Sequence, residues 1–187
     1  MASSASCRAV LAAVLIGAWA PPGAGQEAAS RDEFELKAAF LFNFARFCDW
    51  PKEAFASPDA PFVIGVLGKD PFGKHIDALE GKKVKERRVA VKRLSRAEEL
   101  GDCHIAFFGE MEEQAVRKGL DAIRKQPVLT VGDREGFAQD GGVVNFYLDE
   151  RRVAFEVNVQ AAERSGVKPR SQLLKLARVV RDRERGG

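Results

Sequence analysis

Histidine, tyrosine, methionine and cysteine are scarce in this chain: two, one, two and three residues in 187. His75 and His104 share no i, i+3 or i+4 helical spacing with each other or with a cysteine, and Cys7, Cys48 and Cys103 contain no C-x-x-C. Cys103 and His104 are neighbours in a strand-like run, so they point to opposite faces. No metal centre and no cofactor is expected. G-x-S-x-G and G-x-G-x-x-G are also absent, and His75 near Asp77 is not a relay. The acid pairs Glu98-Glu99, Glu112-Glu113 and Asp149-Glu150 read as solvated helix or turn residues. No catalytic residue is assigned, and the chain does not read as an enzyme. Charge of one sign is missing as well: 30 basic residues face 27 acidic ones, for a net charge of +3. Such a balance gives nucleic acid no hold.

Long apolar runs are missing too. The one uninterrupted stretch, Ala9 to Trp19, follows Arg8 and precedes small residues. It falls short of the ~20 residues a membrane span needs and has the form of a secretory signal. Residues 1–25 are expected to be removed, with the mature chain starting at Gln26 or Glu27. Residues 26–187 then form a single domain, with a frayed tail from Arg181 to Gly187. Roughly 160 residues suffice for one full core. In an oxidising compartment Cys48 and Cys103 are either bridged or two buried thiols.

What is abundant is phenylalanine, thirteen residues, and five of them fall in one stretch. Glu33 to Pro51, EFELKAAFLFNFARFCDWP, has capping residues at its start and a proline stop. Leu36, Phe40, Phe44 and Phe47 form one apolar stripe; Phe34, Leu41, Phe42 and Cys48 lie well round from it. Lys37, Asn43, Arg46 and Asp49 leave a thin polar strip. One sheet face cannot cover so wide an apolar surface. The helix is expected to be buried on two sides, by its own domain and by a second subunit or partner.

Phe62–Leu67, His104–Phe108 and Val128–Val131 are apolar on both alternate sets, as strands covered on both faces are. With Val89–Leu94 they alternate with helical segments at 75–79, 95–100 and 110–125, the last with Met111, Ala115, Leu120 and Ile123 inward. The rhythm predicts an α/β domain, a mainly parallel sheet flanked by helices on both faces. Val143–Leu148 and Arg152–Val157 flank a hairpin-length link and are expected as an antiparallel pair at the sheet edge. Helices are expected at 158–165 and 171–180.

Three strands end in glycine loops: Gly68-Lys69-Asp70, Gly109-Glu110 and Gly132-Asp133-Arg134. In an open parallel sheet these ends line up, where ligands bind. Gly68, Lys69, Asp70, Gly109, Gly132, Asp133 and Arg134 are therefore candidates for a small-molecule crevice, against the alternative that the glycines only make tight turns. The basic run Lys82, Lys83, Lys85, Arg87, Arg88, Lys92, Arg93 and Arg96 reads as a solvated edge, with an anionic surface as the functional alternative.

The aromatic helix with its Trp-Pro stop, PFVIGVLGKDPFG, PVLTVGD, GGVVNFYL, RVAFEVN and SQLLKLARVV together resemble the YfiR-like family over most of residues 33–180. The resemblance implies a periplasmic α/β domain that dimerises and acts by binding, holding an inner-membrane diguanylate cyclase inactive through its periplasmic region. Carried onto this chain, helix 34–50 becomes the contact surface, with Phe34, Leu41, Phe42, Arg46 and Trp50 as the partner-binding residues.

Overall fold

The computed structural model describes residues 24–183, with side chains from Asp32 onward. The expected export segment lies outside these residues, apart from Ala24 and Gly25 at the start of the first helix. That helix, α1 (Ala24–Phe47), stops earlier than Pro51 alone would require. The next two residues, β1 (Cys48–Asp49), pair antiparallel with β9 (Lys168–Pro169). Arg170 completes the joint: its N–H donates to the Phe47 carbonyl at 2.9 Å, and its guanidinium forks onto Asp49 at 2.7 and 2.8 Å. A pairing 121 residues away in the chain thus ends the helix.

The chain continues through β2 (Phe62–Leu67), α2 (Lys74–Asp77), β3 (Lys83–Val84), β4 (Arg87–Leu94) and a 3-10 segment, Ala97–Asp102. Then follow β5 (Ile105–Phe108), α3 (Glu113–Ile123), β6 (Leu129–Gly132), β7 (Val144–Asp149), β8 (Arg152–Asn158), α4 (Val159–Ser165), β9, α5 (Ser171–Leu174) and β10 (Arg178–Val180). The main sheet runs β10-β8-β7-β6-β5-β2-β4-β3. Neighbours are parallel except β7–β8 and β3–β4. This is the α/β domain the alternation predicts.

Strand periodicity sorts the core into two layers. Phe62, Ile64, Val66, Ile105, Phe107, Leu129, Val131, Phe146, Phe155 and Val157 face α1, α2, α4 and α5. Val63, Leu67, Ala106, Phe108 and Val128 face the other way, onto α3 and the Ala97–Asp102 segment. Cys48 belongs to the first layer and Cys103 to the second, so the sheet stands between them. Both are free and buried, and the bridge is not formed.

Three expectations are corrected. The last helix keeps only Ser171–Leu174; Arg178–Val180 is a strand instead, parallel to β8 and outside the hairpin. β-branched Val179 and Val180 favour that state once β8 offers an unpaired edge. α3 begins at Glu113, later than expected, and its inner face is Val116, Gly119, Leu120 and Ile123; Ala115 is exposed and Met111 precedes the helix. Of the tail expected to fray, Asp182 and Arg183 are hydrogen-bonded to the body of the domain, and residues 184–187 lie outside the described residues.

Candidate functional site

α1 lies across the first core layer and buries Ala38, Leu41, Phe44 and Ala45 almost completely, with Cys48 of β1 just beyond them. Phe44 stacks on Phe146 and meets Phe155 edge-on, with centroids 5.7 and 5.1 Å apart. Such pairs add ~1 kcal/mol each beyond area burial. Its flanks are less well covered. Phe34, Phe40, Phe42 and Phe47 are only part-buried, and Leu36 is 45% exposed. Leu36, Phe40 and Phe47 recur at i, i+4 and i+11, which places them along one flank. Phe42 lies on the other, 5.6 Å from the Lys82 ammonium.

The five residues expected to meet a partner are not brought together. Leu41 has 0% exposure and belongs to the core, because the helix turns it straight onto the sheet. Trp50 sits at the far end, edge-on to Phe62, its Nε1 donating to the His104 carbonyl at 3.2 Å. Arg46 is exposed, Phe42 is part-buried, and Phe34 turns to Phe72 at 5.9 Å. The expected stripe of Leu36, Phe40, Phe44 and Phe47 is split: Phe44 is core, Phe40 is part-buried against Phe146 and Phe155 at 6.0 and 5.5 Å, and Leu36 is the exposed member.

At the carboxyl ends of β2, β5 and β6 the chain forms an open cleft of about 680 Å³. Of the seven crevice candidates, Lys69, Gly109, Asp133 and Arg134 line it; Gly68, Asp70 and Gly132 do not. Phe34, Pro71, Phe108 and Met111 supply an apolar wall, and Glu110 and Glu113 join the charged rim. Gly109 is required by close approach: a Cβ there would come within 2.2 Å of the Lys69 carbonyl oxygen. The two loops are tied by Gly109 N–H to Leu67 O at 2.8 Å and by a Lys69–Glu110 ion pair at 2.8 Å. Asp70 turns away, capping the Phe72 and Gly73 N–H groups and meeting Arg93. Gly132 lies beneath the Phe137 ring.

Lys37 is the residue the sequence concealed. It is 5% exposed, and its ammonium pairs with Glu33 and with Asp133 at 3.2 Å, while lying 4.8 Å from the Phe34 ring centre. It thereby pins α1 to the cleft floor. The cleft offers charges of both signs beside an apolar wall, and its lining has no Ser, Cys or His to act as a nucleophile or base. A part-apolar lining with a few charged groups is the usual make-up of a small-molecule pocket.

At the opposite end of the sheet, His104 stacks between Phe55 and Phe62, with centroids 4.3 and 4.9 Å away. Its Nδ1 accepts from the Val63 N–H at 3.0 Å, so the ring carries its proton on Nε2. Burial pushes its pKa down to about 4; the Ala54 carbonyl opposes this in part and Arg87 adds to it. The imidazole is a neutral structural joint. Burial also pushes both thiols up to about 12. Among the described residues no three His, Cys, Asp or Glu side chains gather in a metal-binding group. The basic run is partly spent within the domain: Lys85 pairs with Asp49, Arg93 with Asp70 and Asp77, Arg96 with Glu99.

Among solved structures, the chain is similar to one described as the ABC domain in complex with L-Trp from Streptococcus pneumonia, at 10% identity and a TM-score of 0.47. The match covers 81% of this chain and 60% of that one. The family model described as YfiR/HmsC-like matches residues 34–178, from the first part-buried phenylalanine of α1 to the start of β10. That span takes in both core layers and the cleft, and proteins of this kind regulate rather than catalyse. The chain belongs to the YfiR/HmsC-like family.

Proposed function

We propose that this protein is a periplasmic regulator that represses an inner-membrane signalling enzyme, of the diguanylate cyclase type, by docking on that enzyme's periplasmic region. Family membership supports the class of activity. The observation that carries the reading is the flank of α1, where Leu36, Phe40 and Phe47 keep apolar surface after the domain has folded. Residues at this spacing are what a helical docking face presents, and covering them contributes ~25 cal/mol per Å². Arg46 and the part-buried Phe42 lie on the opposite flank, which a partner reaching round the helix would also meet, while Phe34 packs on Phe72. The same surface suits a second copy of the chain, and a homodimer belongs to this proposal. Residues 1–25 serve as the export signal and are removed.

Deleting the gene should raise cellular cyclic di-GMP, and a chain carrying Leu36→Asp should fail to restore the low level. Unchanged cyclic di-GMP after deletion would exclude a cyclase as the target.

A second reading rests on the cleft of about 680 Å³ at Lys69, Gly109, Asp133 and Arg134. Its volume and mixed lining are those of a small-molecule site, so the regulator would sense a ligand there. A saturating ligand should raise the melting temperature. A screen of nucleotides and amino acids that leaves it unmoved removes those classes.

A further inference from the structure

Contacts from three directions converge on Asp182 and Arg183. The Arg164 guanidinium forks onto the Asp182 carboxylate at 2.6 and 3.0 Å, and Asn158 Nδ2 donates to it at 2.7 Å. The Asp182 N–H donates to Gln160 Oε1 at 3.1 Å, and the Arg183 N–H to the Gln139 carbonyl at 2.8 Å. Four residues earlier, Arg178 of β10 forks onto Glu156 of β8 at 2.8 and 3.2 Å. Burial works against the charged form of Asp182, but Arg164 and Asn158 outweigh it and hold the carboxyl below its ordinary range.

Receptor and occupant are unequally built. With residues 178–180 paired on them, Glu156, Val157 and Asn158 are 2%, 0% and 0% exposed. Asn158 is oriented without the tail's help: Oδ1 caps α4 at the Ala161 N–H, Nδ2 also holds the Ala138 carbonyl, and its N–H reaches Val143. The occupant is a three-residue edge strand in which Val179 is 52% exposed, after Leu176 at 73%. Beside it lies a cavity of about 150 Å³ lined by Arg164, Gln139 and Asp182, and Arg164 Nε and Gln139 Oε1 are buried without partners. The outer edge of β8 is thus occupied by a short strand that is open to solvent on its outer side and held chiefly by charged side chains at its two ends.

We infer that the outer edge of β8, with Asn158 and Arg164 at its end, is a strand-addition site for an extended segment of a partner protein, held shut by the chain's own residues 178–183. The strap defines the ligand's chemistry. It is an extended backbone carrying an arginine opposite Glu156 and, four residues on, a carboxylate for Asn158 and Arg164. Main-chain hydrogen bonds supply affinity in such a site, and the two charged side chains set register. Because the strap is tethered, its effective concentration is ~mM, so only a segment with both charges displaces it.

A fluorescein-labelled peptide of residues 176–183, LARVVRDR, is the probe and the full chain the receptor. With Asp182→Ala the strap loses its carboxylate, and the chain should bind the probe at least tenfold tighter than the unaltered chain does. A probe with asparagine in place of its aspartate should lose that gain. Equal affinity of the two chains, or of the two probes, overturns the inference. Hydrogen exchange of the unaltered chain gives a reading independent of folding in the variant. The Asp182 and Arg183 amides should exchange at least a hundredfold faster than those of β5, and matching rates would show that the strap opens only when the whole domain does.

Discussion

His104 ties the entry of β2 to that of β5, and only its neutral form can do so, because a protonated Nδ1 cannot accept the Val63 N–H. Its folded pKa, about 4, lies below its ordinary value of 6.5. The unfolded chain therefore binds the proton first, and stability falls as pH drops from 6.5 towards 4. The loss across that window should be about 2–3 kcal/mol. Urea midpoints measured from pH 7 to pH 4 should fall more steeply for the native chain than for His104→Gln; parallel curves would remove the histidine from the account. Gly109 is the second residue on which the architecture turns. Gly109→Ala forces the Lys69 and Glu110 loops apart and should cost about 2 kcal/mol, read as a lower melting temperature. The two thiols should stay unreactive towards a disulfide reagent until the domain unfolds, since both are buried and raised to about 12. Rapid labelling of the native protein would contradict their placement in separate core layers.

Among the elements, α1 has two kinds of apolar residue, and substitutions separate them. Leu41→Ala opens a cavity in the core and should destabilise by about 2–5 kcal/mol. Leu36→Asp, on the open flank, should leave the melting temperature within a few degrees of the native value. The sequence pattern conveyed the wide apolar girth of α1, yet not its phase: Leu41, expected at a partner contact, is core, and Leu36 is the exposed one. Apolar residues nearly all round the helix leave its phase undetermined until the sheet is placed. Strands β2, β5 and β6 were legible because residues buried on both faces form continuous apolar runs. β10 was not, since Arg178–Val180 is a strand only by virtue of its pairing with Glu156–Asn158. Lys37 was hidden for the same reason: its burial depends on Asp133, 96 residues further on. Of the strand-end glycines only Gly109 lines the cleft, because which residues line it was decided by loop geometry that the order of elements does not specify.

For the whole molecule, the sheet divides the labour. Its carboxyl ends carry the mixed-charge cleft, its first face carries α1 with an unfinished apolar flank, and its β8 edge is closed by the strap. Lys37 joins the first two, so a ligand that repositions Asp133 would be felt by α1 through one ion pair. The central claim is that the open flank of α1 is the repressing surface, and cyclic di-GMP in cells tests it most directly. A chromosomal Leu36→Asp, Phe47→Asp strain should show cyclic di-GMP raised to the level of the gene deletion, with the protein present at native abundance and melting normally in isolation. A level as low as that of the unaltered strain, with the variant equally abundant and folded, would contradict it.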